Sequence, residues 1–119
     1  MKILIPASNN NEKYSLISNR FGRAPYLTIY NNGNYKTIEN SATKAMGGAG
    51  VQTAQHVVNE DIDVLIAMNI GPKAWQVLSV ANIEIYEGKS TTLEENINAY
   101  KRNELKRLNS ATNSGGIYK

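Results

Sequence analysis

The chain has no cysteine, one histidine and one tryptophan among its 119 residues. Without thiols it can form no disulfide, and it can hold neither zinc nor an iron–sulfur cluster through thiolates of its own. A thiol enzyme is excluded, and so is a serine–histidine acyl transferase, because the single His56 has no evident serine–carboxylate partnership. No apolar run approaches the ~18 residues that a membrane-spanning helix needs. The opening Met1-Lys2-Ile3-Leu4-Ile5-Pro6 is too short for the apolar region of a secretory signal. A cytoplasmic protein with no membrane association is expected. Charge is sparse too, at 19% of residues with a net +3, which does not by itself imply nucleic acid. The basic residues Lys101, Arg102, Lys106 and Arg107 read as a solvated helix end. What remains is an apolar content of 41%, enough for the core of one globular domain.

Lys2–Ala7 has the β-branched content of a buried first strand. Tyr26–Tyr30 and Asn34–Glu39 flank Asn31-Asn32-Gly33 and read as a β-hairpin. After the small-residue loop Asn40–Gly50, the positions Val51, Ala54, Val57 and Val58 share one helical face, opposite Gln52, Gln55, His56 and Asn59. Asp63–Ala67 is an apolar strand after its first residue. Pro72 suits the first position of a second helix, with Ala74, Val77, Leu78 and Ala81 on its buried face. Asn82 suits a left-handed cap before the strand Ile83–Tyr86. A third helix follows, with a capping box from Thr91 to Glu94 or from Thr92 to Glu95. Residues 106–119 read as a polar, mobile tail containing Gly115-Gly116. The order β–ββ–α–β–α–β–α implies an α/β fold, a mixed sheet with helices on its faces and the hairpin at one side.

In such a sheet, ligands bind beyond the carboxyl ends of the parallel strands, where loops meet helix N-termini. Three segments are expected to converge there. The first, Arg20-Phe21-Gly22-Arg23, sets two guanidinium forks on one short loop, the donors suited to multi-oxygen or planar anions. Gly22 allows close backbone approach to a ligand or a positive φ. The second is Gly47-Gly48-Ala49-Gly50, and the third is Asn69-Ile70-Gly71 before Pro72. Each of the latter two opens a helix whose free N–H groups favour an anion. Neither matches a phosphate-binding P-loop or a dinucleotide fingerprint, and the plain alternative is a pair of tight strand-to-helix turns. Met46 and Met68 put soft thioethers beside the two glycine turns. Met68 also suits strand-end packing, Trp75 suits packing, and His56 is placed on the solvent face of its helix. His56 and Met68 are the weaker candidates for metal ligands.

In order, Arg20–Tyr26, Gly47–Ala54, Asn69–Ala74 and Ile85-Tyr86-Glu87-Gly88 resemble the motifs of the dinitrogenase iron–molybdenum cofactor biosynthesis family, across residues 1–105. The resemblance implies a three-layer α/β/α domain with a ribonuclease-H-like, five-stranded mixed sheet. It also implies a non-catalytic accessory protein that binds or carries an anionic iron–molybdenum or iron–sulfur cluster or its precursor. The binding residues carried over are Arg20, Phe21, Gly22, Arg23, Gly47, Gly48, Ala49, Gly50, Asn69, Ile70 and Gly71. With no cysteine, the grip would be non-thiolate and the carriage transient, with a cofactor-assembly or acceptor protein as a further partner. The alternative is a protein-interaction or regulatory adaptor of the same fold with no bound cluster. A nuclease does not fit: two-metal hydrolysis needs carboxylates at the strand ends, the first strand has none, and Asp63 begins its strand.

Overall fold

The structure, a computed structural model, describes residues 1–112. Strands β1 (Ile3–Ala7) and β4 (Val64–Ala67) are buried along their whole length, the mark of strands covered on both faces. Alternation within them assigns the layers. Leu4, Leu65 and Ala67 face one side, joined by Leu27 and Ile29 of β2 (Tyr26–Asn31) and Ile85 of β5 (Glu84–Glu87). There they meet Ala54 and Val57 of α1 (Ala49–Asn59) and Ala74 and Leu78 of α2 (Pro72–Ser79). Ile3, Ile5, Ala7, Val64 and Ile66 face the other side and meet Leu93, Ile97 and Ala99 of α3 (Leu93–Lys101). Two helices, a sheet and one helix make the three layers.

The sheet order is β3-β2-β1-β4-β5, with β3 spanning Asn34–Glu39. β1, β4 and β5 are mutually parallel, and the hairpin is antiparallel to β1. This is the five-stranded mixed sheet with a lateral hairpin that the sequence pattern implies. The β1–β4 ladder runs only through Leu4↔Leu65 and stops before Pro6, which has no N–H to contribute.

Local signals act as their chemistry requires. Pro72 takes the first position of α2, and Asn82 adopts a φ of 62° before β5. Thr92 is the cap of α3, its hydroxyl accepting from the Glu95 N–H at 3.2 Å. The Glu95 carboxylate accepts from Thr91 instead of completing the box. On α1, Val51 is only half-buried, whereas Thr53 is fully buried. The inversion arises because the Thr53 hydroxyl accepts a bond from buried Asn40.

The expected mobile tail is corrected over its described part. Residues 106–112 form a strap along the outer edge of β5. Glu87 N–H donates to the Lys106 carbonyl at 2.9 Å and Leu108 N–H to the Ile85 carbonyl at 2.8 Å. Arg107 pairs with Tyr86 as an antiparallel bridge, and Leu108 packs on the α1–α2 core. An open edge strand offers unpaired backbone groups, and the strap satisfies them. Residues 113–119, with Gly115-Gly116, lie outside the described residues.

The α3 side carries a tyrosine cluster whose phenols resist ionisation. Burial, with Tyr30 and Glu94 adding, raises Tyr35 to about 12. Tyr86 and Tyr100 are raised too, chiefly by burial. The folded chain therefore keeps protons that the unfolded chain releases near 10, so stability is lost as pH rises from about 10 to about 12. A thermal-melt series read beside tyrosinate absorbance is expected to show the midpoint falling as unfolding and ionisation proceed together. A midpoint flat across that window would contradict it.

Candidate functional site

The three segments singled out in the sequence do meet, and the contacts are between backbones. Phe21 N–H donates to the Met68 carbonyl at 3.0 Å, tying the arginine loop to the end of β4. The Asn69 amide donates to the Asn19 carbonyl and closes the same junction. A Cβ on Gly22 would lie 2.8 Å from Gly50 Cα and 2.9 Å from Gly50 N. The arginine loop is thus seated directly on the first turn of α1. A Cβ on Gly50 would in turn lie 3.6 Å from Ala74 Cβ of α2.

This geometry corrects the roles expected of several residues. Gly22 does not have a positive φ; its missing side chain serves the approach of Gly50. Phe21, Ala49 and Ile70 are buried, Ile70 completely. Their side chains belong to the core, so only their backbone groups face the site. Apolar side chains on a short loop over a sheet end are drawn inward by the area they remove from water. Arg20, Arg23, Gly47, Gly48 and Asn69 are exposed and form the available surface.

Electrostatics favour an anion there. Among the described residues, neither Arg20 nor Arg23 forms an ion pair. Exposed Lys44 and Lys73 flank the turns, and the chain has no carboxylate in residues 13–38, 40–59 or 64–83. Glu39 and Glu87 end β3 and β5, whereas Asp61, Asp63 and Glu84 gather at the opposite end, where β4 and β5 begin. Helices α1 and α2 start on Gly48 and Gly71, which have no side chain to cap them, with Gly48 left-handed at a φ of 71°. Among the described residues no side chain caps their first-turn N–H groups, which are groups a ligand or water can satisfy. By contrast, α3 is capped by Thr92.

Two buried asparagines that were not singled out in the sequence brace turns, Asn40 at the arginine loop and Asn96 between β5 and α3. Asn40 donates to the Ala24 carbonyl at 2.9 Å and to the Thr53 hydroxyl at 3.0 Å. Its own N–H donates to the Pro25 carbonyl at 2.9 Å, so it joins the end of the arginine loop to α1. Asn96 of α3 accepts from Lys89 N–H at 2.8 Å and donates to the Lys89 and Thr92 carbonyls. Asn40 falls where a strand gives way to a turn, a signal for capping, but partners 13 and 16 residues away leave no trace in local spacing.

The metal-ligand candidates His56 and Met68 are not brought together. His56 is half-buried rather than facing solvent, in a hollow with Ser41, Gln52, Gln55 and Asn59, its Nε2 3.7 Å from Glu60 Oε2. Met68 packs on the α3-side core. Met46 is fully exposed beside Gly47. Among the described residues, no group of three or more His, Asp or Glu side chains could hold a metal ion. None of the described helices is long and apolar enough to cross a membrane.

The model of the dinitrogenase iron–molybdenum cofactor family matches residues 1–103. The chain belongs to this family. An uncharacterized protein of Methanocaldococcus jannaschii is 33% identical over 113 residues, spanning 91% of this chain and 92% of that protein. A NifB-like protein of Thermotoga, assigned to the DUF35 family, is 32% identical with a TM-score of 0.81, over 96% of this chain and 98% of that one. The apo form of the orange protein from Desulfovibrio gigas superposes with a TM-score of 0.88 over 94% of this chain and 96% of that one. At 22% identity the last likeness is one of fold. All four motifs that carried the resemblance lie inside the family match, and the whole strap, residues 106–112, lies beyond it.

Proposed function

We propose that this protein is a non-catalytic carrier of an anionic metal–sulfur cluster, iron–molybdenum or iron–sulfur, or of its precursor. The cargo would sit on the loops of Arg20, Arg23, Gly47, Gly48 and Asn69. The observation that carries this reading is the backbone interlock of Gly22 with Gly50 and of Phe21 with Met68. It ties the backbone that carries Arg20 and Arg23 to two uncapped helix starts. Guanidinium forks and N–H groups suit sulfido and carboxylate acceptors without a covalent bond to metal. The absence of thiolate from the chain makes charge, hydrogen bonding and shape the means of retention, which suits handing the cargo on. Membership of the family supports the class of cargo.

The test is an anaerobic titration with iron–molybdenum cofactor and, separately, a simpler iron–sulfur cluster, followed by amide chemical shifts. Saturable shifts at Arg20–Arg23, Gly47–Gly50 and Asn69–Gly71 are expected. A folded sample unmoved by either ligand would overturn the carrier reading and favour an adaptor that binds only protein.

A further inference from the structure

The strap ends on one of the three ligand loops. Thr112 N–H donates to the Ile70 carbonyl at 2.9 Å. Ile70 N–H donates to the Thr112 hydroxyl at 2.6 Å, so both backbone groups of Ile70 are satisfied by one residue. Ile70 is completely buried, so water is a poor substitute for either bond. On one side of Ile70 stands Asn69, held at a left-handed φ of 56° and bonded to the arginine loop. On the other stands Gly71, the start of α2. The strap is itself anchored by Leu105, which is buried, by Leu108 in the core, and by the β5 edge bonds.

We infer that the strap is a clasp and that Thr112 is a positioning residue, holding the Asn69–Gly71 loop in its ligand-ready shape. This rests on the carrier reading for what the loop receives, but the clasp has its own physical signature. A residue that fixes a loop before the ligand arrives removes an ordering cost from binding. By linkage, a bound ligand then holds the strap in place as strongly as the strap holds the ligand. The coupling runs through Ile70, Asn69 and Asn19 to Arg20, every step a bond in the structure. Exposed Lys106 and Arg107 open the strap, where trypsin reports its release.

The experiment compares the full-length parent with Thr112→Val, which removes the hydroxyl at nearly constant shape, and Thr112→Ser, which keeps it. In the absence of ligand, amide exchange at Ile70 is expected to accelerate about 5- to 10-fold in Thr112→Val, which removes the acceptor of the Ile70 N–H together with the longer bond from the hydroxyl to the Ile70 carbonyl. Thr112→Ser should restore the parent rate, with protection of β1 and β4 unchanged in both. With iron–molybdenum cofactor as the probe, affinity should fall about 5-fold in Thr112→Val alone, and saturating probe should slow trypsin cleavage at Lys106 and Arg107 in the parent. Unchanged exchange at Ile70 in Thr112→Val overturns the clasp. Faster exchange with unchanged affinity overturns its positioning role. A parent that binds no probe sinks the carrier reading instead, and the clasp is then decided by exchange alone.

Discussion

Gly22→Ala is expected to destabilise the protein by about 3 kcal/mol, the upper end of what overpacking costs. The added methyl would meet Gly50 Cα at 2.8 Å and Gly50 N at 2.9 Å. Both are main-chain atoms at the start of α1, so no side chain can rotate away. Relief requires the arginine loop to lift off the helix, which also strains the Phe21–Met68 and Asn69–Asn19 bonds. Stability and ligand binding should therefore fall together. Gly47→Ala is the matched control, because a Cβ there meets nothing within 4 Å and the residue has no left-handed φ. Its effect on stability should be about 0.5 kcal/mol or less. Urea denaturation of the two variants checks this, and equal midpoints would show that the Gly22–Gly50 approach carries no weight.

The second large effect is on binding and should leave stability untouched. Arg20 and Arg23 are exposed and, among the described residues, make no ion pair. The thermal midpoint of the Arg20→Ala/Arg23→Ala variant should thus match the parent. Hydrogen bonds from a charged donor contribute about 1.5–3 kcal/mol each. With exposure discounting the lower bound, each arginine should be worth about 10-fold in affinity for the anionic cluster and the pair about 100-fold. Replacement by lysine keeps the charge but not the fork and should recover only part of the loss. Affinity in the parent should also weaken as salt rises, and the salt slope should flatten in the double variant. Equal binding by parent and double variant would place the cargo elsewhere on the molecule.

Much of this was written in local patterns. The hairpin turn at Asn32-Gly33, Pro72 at the head of α2, Asn82 before β5 and Thr92 at the cap of α3 each act through neighbours a few residues away. Continuous apolar runs marked β1 and β4 as central strands because both faces of the sheet are covered. The site was legible in part, since topology alone brings three strand-to-helix loops to one end. Which of its residues face outward was not. Phe21 and Ile70 sit in the same motifs as Arg20 and Asn69, and only the packed core separates buried from exposed.

The order of elements, the family and the exclusion of thiolate chemistry were readable before any folding, because propensity, periodicity and composition are properties of neighbours along the chain. What Gly22 is for, what Asn40 joins, and the course of residues 106–112 as a strap on β5 emerged only from the packed fold. Each of these depends on atoms brought together from distant segments: Gly22 with Gly50, Asn40 with Ala24 and Thr53, Thr112 with Ile70. Close approach and hydrogen-bond satisfaction exist only once the chain has closed on itself, so a polar residue that reads as loop can prove to be the bond that fixes a site.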